Sequence, residues 1–224
     1  MRSHMSFAFV AALLAAGCGH AEKTPIVAPG VAPVEDASSV AFPAAAGADL
    51  HPEALNVESS DGKGDETIKG RAHAKGFIHA DLLHVWQAFQ DPDTVADRRK
   101  LDHWTVDKNV ETGFDVSFRL HATTKATLGA SLGFDMTLRQ SATLGTAAAP
   151  EQVNCYAQKT DGNSWIGPLL DSAVLIALDD GNTSIELVRH GNGEIYDEGD
   201  AKQYVQDLYD SVKAKAKGLA LPTY

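Results

Sequence analysis

The chain has 224 residues, 44% hydrophobic and 22% charged, which are the proportions of a globular protein and not of a fibre or a wholly disordered chain. Lys and Arg number 19 against 30 Asp and Glu, a formal net charge of -11. That balance argues against nucleic acid, whose phosphates need a basic footprint, and against a purely electrostatic grip on anionic lipid.

Arg2 and His4 form a thin positive start, and Phe7 to Ala16 is a short apolar run. A bilayer span needs roughly 20 apolar residues, so this run is too short to cross a membrane and has the length of a secretory signal. Ala15, Ala16 and Gly17 then precede Cys18. The pattern resembles the bacterial lipobox, a run of small residues ending at a cysteine that receives a diacylglycerol thioether. Ala15 stands where lipoboxes usually carry Leu, and Leu14 lies one place further back. The resemblance implies a signal peptide at residues 1–17, cleavage before Cys18 and lipid on that cysteine. Gly19 in place of Asp leans toward the periplasmic face of the outer membrane. The competing reading is an ordinary secretory signal with an incidental cysteine. With Cys18 lipidated, Cys155 is left alone and is expected to be a small buried hydrophobe.

From residue 18 to 64 the composition shifts. Five of the nine prolines fall here, at Pro25, Pro29, Pro33, Pro43 and Pro52, and Phe42 is the only aromatic. Such a segment is expected to be a disordered tether, too poor in apolar surface to offset its ordering entropy. As a flexible coil it would reach roughly 40 Å. The alternatives are a loop packed on the domain, or one turn of helix within residues 50–57.

A folded domain is expected over residues 65–220. Residues 66–78 read as a first strand. Leu82, Val85, Trp86 and Phe89 then follow helical spacing, and Asp91 with Pro92 caps a second short helix running to about Leu101. Phe114, Val116, Phe118 and Leu120 alternate with polar residues, as do Leu132, Phe134, Met136 and Leu138, the mark of strands with one wet face. Strands are also expected over residues 152–159, 169–178 and 185–190, the last pair joined by the hairpin turn at residues 179–182. The chain closes with a helix carrying Tyr204, Val205, Leu208, Val212 and Ala216 on one stripe, between Gly199 or Asp200 and Gly218. The order is α+β and not a βαβ array.

This order resembles the START-like, helix-grip superfamily, also called SRPBCC, which includes lipid-transfer domains, polyketide cyclases and plant ligand binders. The resemblance rests on residues 80–101, with Val85-Trp86 and Asp91-Pro92-Asp93, and on Gly181-Asn182-Thr183 leading into a strand. It implies a curved antiparallel sheet wrapped around the long C-terminal helix with an apolar cavity between them. The residues expected to line it are Phe114, Val116, Phe118, Leu120, Phe134, Met136 and Leu138, with Ile185, Leu187 and Arg189 on a later strand and Tyr204, Leu208 and Val212 on the helix. The alternative is that these faces simply pack together and leave no cavity.

Gly129-Ala130-Ser131-Leu132-Gly133 matches the G-x-S-x-G pattern of a hydrolase elbow, but strand-like alternation follows where a helix is required, so it reads as a hairpin bend. The histidines are scattered without metal-ligand spacing, and no metal or other cofactor is expected. Arg189 shares parity with Ile185 and Leu187, so it either binds a ligand's polar group or pairs with a buried acid. The expectation is a membrane-tethered binder of a hydrophobic small molecule or lipid, not of nucleic acid. The rivals are a cyclase or dehydratase using Arg189, His121 or His190, and an envelope interaction protein without a ligand.

Overall fold

The alternating segments form adjacent strands of one curved, open antiparallel sheet. The computed structural model describes residues 30–35, 39–61, 68–126, 129–193 and 196–224, so Cys18 and the signal-like segment lie outside the described residues. In chain order the elements are β1 (Leu55–Ser60), β2 (Gly70–Ile78), α1 (Leu82–Phe89), α2 (Pro92–Val95), β3 (Leu101–Lys108), β4 (Val116–Thr124), β5 (Gly133–Thr146), β6 (Ala149–Gly162), β7 (Leu169–Ala177), β8 (Thr183–Gly191) and α3 (Glu198–Ala216). The eight strands run β1-β2-β8-β7-β6-β5-β4-β3 across the sheet. A 3-10 turn at Ser164–Ile166 separates β6 from β7.

The helices begin where the sequence places caps. Asp81 accepts a hydrogen bond from the His84 amide at 3.1 Å, and Asp91 accepts one from Asp93 at 2.9 Å with Pro92 at the first helical position. Asp197, three residues before the expected Asp200, caps α3 by accepting from the Asp200 amide at 2.9 Å. These contacts satisfy amide donors that no helical turn precedes.

Strand register divides the sheet into two faces. Phe118, Leu120 and Ala122 of β4 pair with Leu138, Met136 and Phe134 of β5. Leu138 is opposite Ala157 of β6, Ala157 opposite Asp171 of β7, and Asp171 opposite Arg189 of β8. Directly opposed residues point to one side, so this row is the inner face. α3 packs on β2, β1 and β8, while α1 packs on α3, β6 and β7. Trp86 of α1 is buried and donates its indole N–H to Gln140 Oε1 at 2.8 Å, and Gln140 returns a bond to the Phe89 carbonyl at 2.7 Å. Gly76 lies where β1 meets β2, and a Cβ there would stand 2.4 Å from the Ala54 carbonyl oxygen.

Four expectations need correction. The tether does not extend to residue 64, because β1 pairs with β2 along its full length. Residues 50–57 make no helical turn, since Leu55 and Val57 alternate with exposed neighbours as strand residues do. The second helix ends at Val95, and Leu101 instead opens β3, whose period is broken by a bulge between Leu101 and His103. The strand expected from Phe114 begins at Val116. Gly129 to Leu132 lies between β4 and β5 and Gly133 opens β5, so a strand and not a helix follows the exposed Ser131.

The segment before β1 lies across the outer face. Val40 is buried, Phe42 stacks on Phe77 with centroids 5.0 Å apart, and Asn56 donates to the Ala41 carbonyl at 2.9 Å. Glu35 reaches His190 Nε2 at 2.5 Å, His73 Nδ1 at 3.2 Å and Arg71 Nε at 3.2 Å. Burial pushes the Glu35 carboxyl up, but the hydrogen bond and charge of His190, with His73 and Arg71 behind them, outweigh it and hold the group below its ordinary 4.5. A carboxylate so lowered stabilises the folded state above that ordinary value and loses its contribution as pH falls through the folded value. Acidification below pH 4.5 therefore loosens residues 30–35 and 39–42 before the sheet melts, and Glu35→Gln loosens them at neutral pH. Hydrogen exchange of that segment against exchange in β7 measures both effects.

Candidate functional site

α3 covers only one side of the inner face, and a cavity of about 190 Å³ opens beside it. Its apolar wall comes from Leu101, Phe134, Ile166 and Leu169, and Arg189 closes its inner end. Two water-sized voids of about 30 Å³ continue inward, lined by Leu138, Ala157, Asp171 and Tyr204 among others.

Arg189 is buried and held on three sides. Its Nη1 donates to Asp171 Oδ2 at 2.9 Å, its Nε donates to the Tyr196 hydroxyl at 2.9 Å, and its guanidinium lies 3.7 Å from the Tyr204 ring centroid. Tyr204 donates its own hydroxyl to the Val95 carbonyl at 3.2 Å, tying α3 to the end of α2. Asp97, on the loop after α2, adds a second carboxylate to the cavity wall. Two acids thus surround one guanidinium. Asp171 Oδ1 is buried and has no hydrogen-bond partner among the described residues.

Burial sets the electrostatics here. Desolvation, helped by the charge of Asp97, lifts the Asp171 carboxyl from 3.8 to about 6 even against the attraction of Arg189. The Asp97 carboxyl is raised by burial as well. Burial also raises the Tyr196 hydroxyl to about 12 and pushes the Tyr204 hydroxyl and the Cys155 thiol well above their ordinary ranges. Burial alone would disfavour the Arg189 cation, but Asp171 and the two tyrosines keep it charged. Cys155 is a free, buried thiol lining one void.

The expected lining residues separate into three groups. Leu120, Phe134, Met136, Leu138, Leu187, Arg189, Tyr204 and Leu208 do border the cavity or its inner voids. Val116, Phe118, Ile185 and Val212 border none of them; Phe118, Ile185 and Val212 are core, and Val116 packs against it. Phe114 is a correction. It lies before β4, and its ring sits 5.7 Å from the guanidinium of Arg139, which shares the outer face with its ladder partner Ser117. His121 also faces outward, between Asp107 at 2.9 Å and Asp135 at 2.8 Å, and His190 is taken by Glu35. Of the three groups offered for acid–base work only Arg189 is in the cavity. Asp171, Asp97 and Tyr196 are its unforeseen neighbours. Asp171 had a visible signal, as the one charged residue in the apolar run from Leu169 to Leu178.

Sheet, two short helices after β2, and a long closing helix over a one-sided cavity make this the START-like, helix-grip fold. Solved structures with this fold include the lipid transfer and protein localization domain of human StarD13, at 10% identity over 75% of this chain and 85% of that one, with a TM-score of 0.48. A STAR-related lipid transfer protein fragment from Xanthomonas axonopodis matches at 10% identity over 73% and 92% of the two chains, with a TM-score of 0.46. The Zhui aromatase/cyclase from Streptomyces sp. R1128 matches at 11% identity over 73% and 94%, with a TM-score of 0.39. The likeness is one of fold. No protein-family model and no curated protein matches the sequence.

A carboxyl whose folded pKa is raised stabilises the fold below the unfolded value and loses that contribution as pH rises through the folded one. For Asp171, the rise from 3.8 to about 6 corresponds to about 3 kcal/mol lost across that window. Asp171→Asn removes this slope, which urea unfolding at intervals between pH 4 and 7 reads directly. Arg189→Met strands the buried acid and lowers stability by about 3–5 kcal/mol in the same assay at pH 7.

Proposed function

We propose that this domain holds a hydrophobic small molecule or lipid in the cavity beside α3, and does so at a membrane to which lipid on Cys18 anchors it. One observation carries the reading: an apolar-walled cavity of about 190 Å³ ends on a buried guanidinium, whose partner Asp171 lines the voids behind it and has one carboxylate oxygen without a partner among the described residues. Apolar burial against Leu101, Phe134 and Leu169 supplies affinity at about 25 cal/mol per Å². A hydroxyl or amide N–H at the buried end of the guest, able to reach Asp171 Oδ1, sets its orientation, because a donor there relieves an unsatisfied acceptor. Diacyl anchoring through Cys18 holds the cavity near its supply of guest and raises the rate of encounter.

A second reading has its own observation. A carboxyl at about 6, buried beside Arg189 and Tyr204, is poised for general acid–base work on a bound guest, as in a cyclase or dehydratase. Binder and enzyme separate on what comes back out of the cavity.

Native mass spectrometry of the purified full chain is expected to show a co-purified apolar molecule, or uptake of one from a lipid panel, recovered unchanged. Recovery of a chemically altered guest selects the enzyme, and a chain that stays empty across the panel removes both readings. Phe134→Trp fills the cavity from β5 and lowers uptake at least tenfold while leaving the thermal midpoint within a few degrees, a change of roughly 1.4 kcal/mol in binding.

The anchor has a separate test. Expressed in a bacterial host, the mature protein is expected to begin at Cys18 with diacylglycerol attached and to sediment with outer membranes. Cys18→Ser keeps residues 1–17 and carries no acyl mass. An intact mass showing cleavage elsewhere, or an unmodified Cys18, ends the proposal for the anchor alone.

A further inference from the structure

The cavity mouth is ringed by side chains that the binding mechanism does not use. Arg99 and Lys100 approach it from the loop before β3, and Lys125 from the end of β4. Trp165 stands next to Ile166, which lines the cavity, yet its own side chain points out and is 54% exposed. This exposed indole lies one residue along the chain from the apolar wall of the cavity.

The charges around the mouth are layered. Arg99 pairs with Asp207 and Lys100 with Asp200, but the cations are the outer members: Arg99 and Lys100 are 40% and 49% exposed, their carboxylates 11% and 20%. Lys125 is exposed and donates to the Arg98 carbonyl at 3.0 Å. Asp97, the remaining acid of the mouth, lines the cavity wall and is half-buried. A chain of net charge -11 thus presents a basic rim at this one opening. The total charge argued against an electrostatic grip by the whole surface; the rim is a local exception, and it comes with an indole.

We propose that this rim, Trp165 with Arg99, Lys100 and Lys125, is a docking surface for an anionic lipid bilayer. Tryptophan settles at the boundary between headgroups and acyl chains, where its ring is in apolar surroundings and its N–H stays wet. Lys and Arg near such a surface each add an attraction that salt screens. Docked this way, the mouth opens against the headgroup layer, and a guest passes between bilayer and cavity without crossing water. That last consequence rests on the cavity being a lipid site; the docking itself does not.

The test uses the full chain in vesicles of phosphatidylglycerol and phosphatidylethanolamine with brominated acyl chains, which quench tryptophan only on contact. Fluorescence is expected to fall relative to unbrominated vesicles, and Trp165→Phe to abolish the difference while circular dichroism stays unchanged. Lys100→Gln with Lys125→Gln, or salt at about 1 M where the Debye length is about 3 Å, weakens the quenching. Vesicles of brominated phosphatidylcholine give little of it. Equal emission in brominated and plain vesicles overturns the proposal, and so does quenching that persists in Trp165→Phe. Native mass spectrometry reads the cavity independently. A chain that carries a guest but shows no quenching loses the docking and keeps the binding, and quenching with an empty cavity does the reverse.

Discussion

An eight-stranded sheet is too wide for one helix to cover. Adjacent strands lie about 4.8 Å apart, so eight span about 34 Å, while a helix with its side chains is about 10–12 Å across. Most other features follow from that mismatch. α3 settles over β1, β2 and β8, where Ala72, Ala74 and Gly76 present small side chains and let it approach. α1 closes part of what remains, pinned to β5 by the paired bonds between Trp86, Gln140 and the Phe89 carbonyl. Curvature brings the β4–β5 side round, and the space that neither helix fills is the cavity. The cavity therefore arises from element widths and not from a missing side chain.

The buried charge follows from the same geometry. Arg189 stands on β8 against Tyr204 of α3, so its guanidinium is buried at the edge of the helix's cover. Asp171 is directly opposite on β7, and Tyr196 and Tyr204 close the other sides. A lone buried cation would be strongly unfavourable, and pairing with hydrogen bonds offsets most of that penalty. The offset is incomplete on the acid side, where one oxygen of Asp171 has no partner among the described residues and the carboxyl sits near 6. A site that is slightly under-satisfied is one that a polar guest improves.

The outer face shows a different solution to an exposed sheet. Its edges are β1 and β3, and β3 carries Asp102, Asp107 and Lys108, charges that discourage pairing with another chain. Across β1, β2 and β8 the chain lays its own N-terminal residues, with Phe42 on Phe77 and Glu35 between two histidines and an arginine. Part of the stretch whose prolines promised a free tether is spent on this cover.

Sequence alone determined the local features. Side-chain alternation marked β4 and β5, the hairpin turn at residues 179–182 marked β8, Asp81 and Asp91 marked two helix starts, and the stripe through Tyr204, Leu208 and Val212 marked α3, because each depends on neighbours within one or two turns of chain. Tertiary structure decided the rest. Leu55 and Val57 alternate like strand residues, but only pairing with β2 outweighs the surrounding prolines. Trp104 and Val106 belong to a strand whose bulge hides its period. Phe114 lies in the bend before β4, and contact with Arg139, not parity, puts its ring outside. Asp171 and Arg189 are 18 residues apart in the chain and meet across a ladder. Which side of a sheet is covered, and which buried charge finds its partner, are settled by register between distant segments, and no local pattern of residues carries that information.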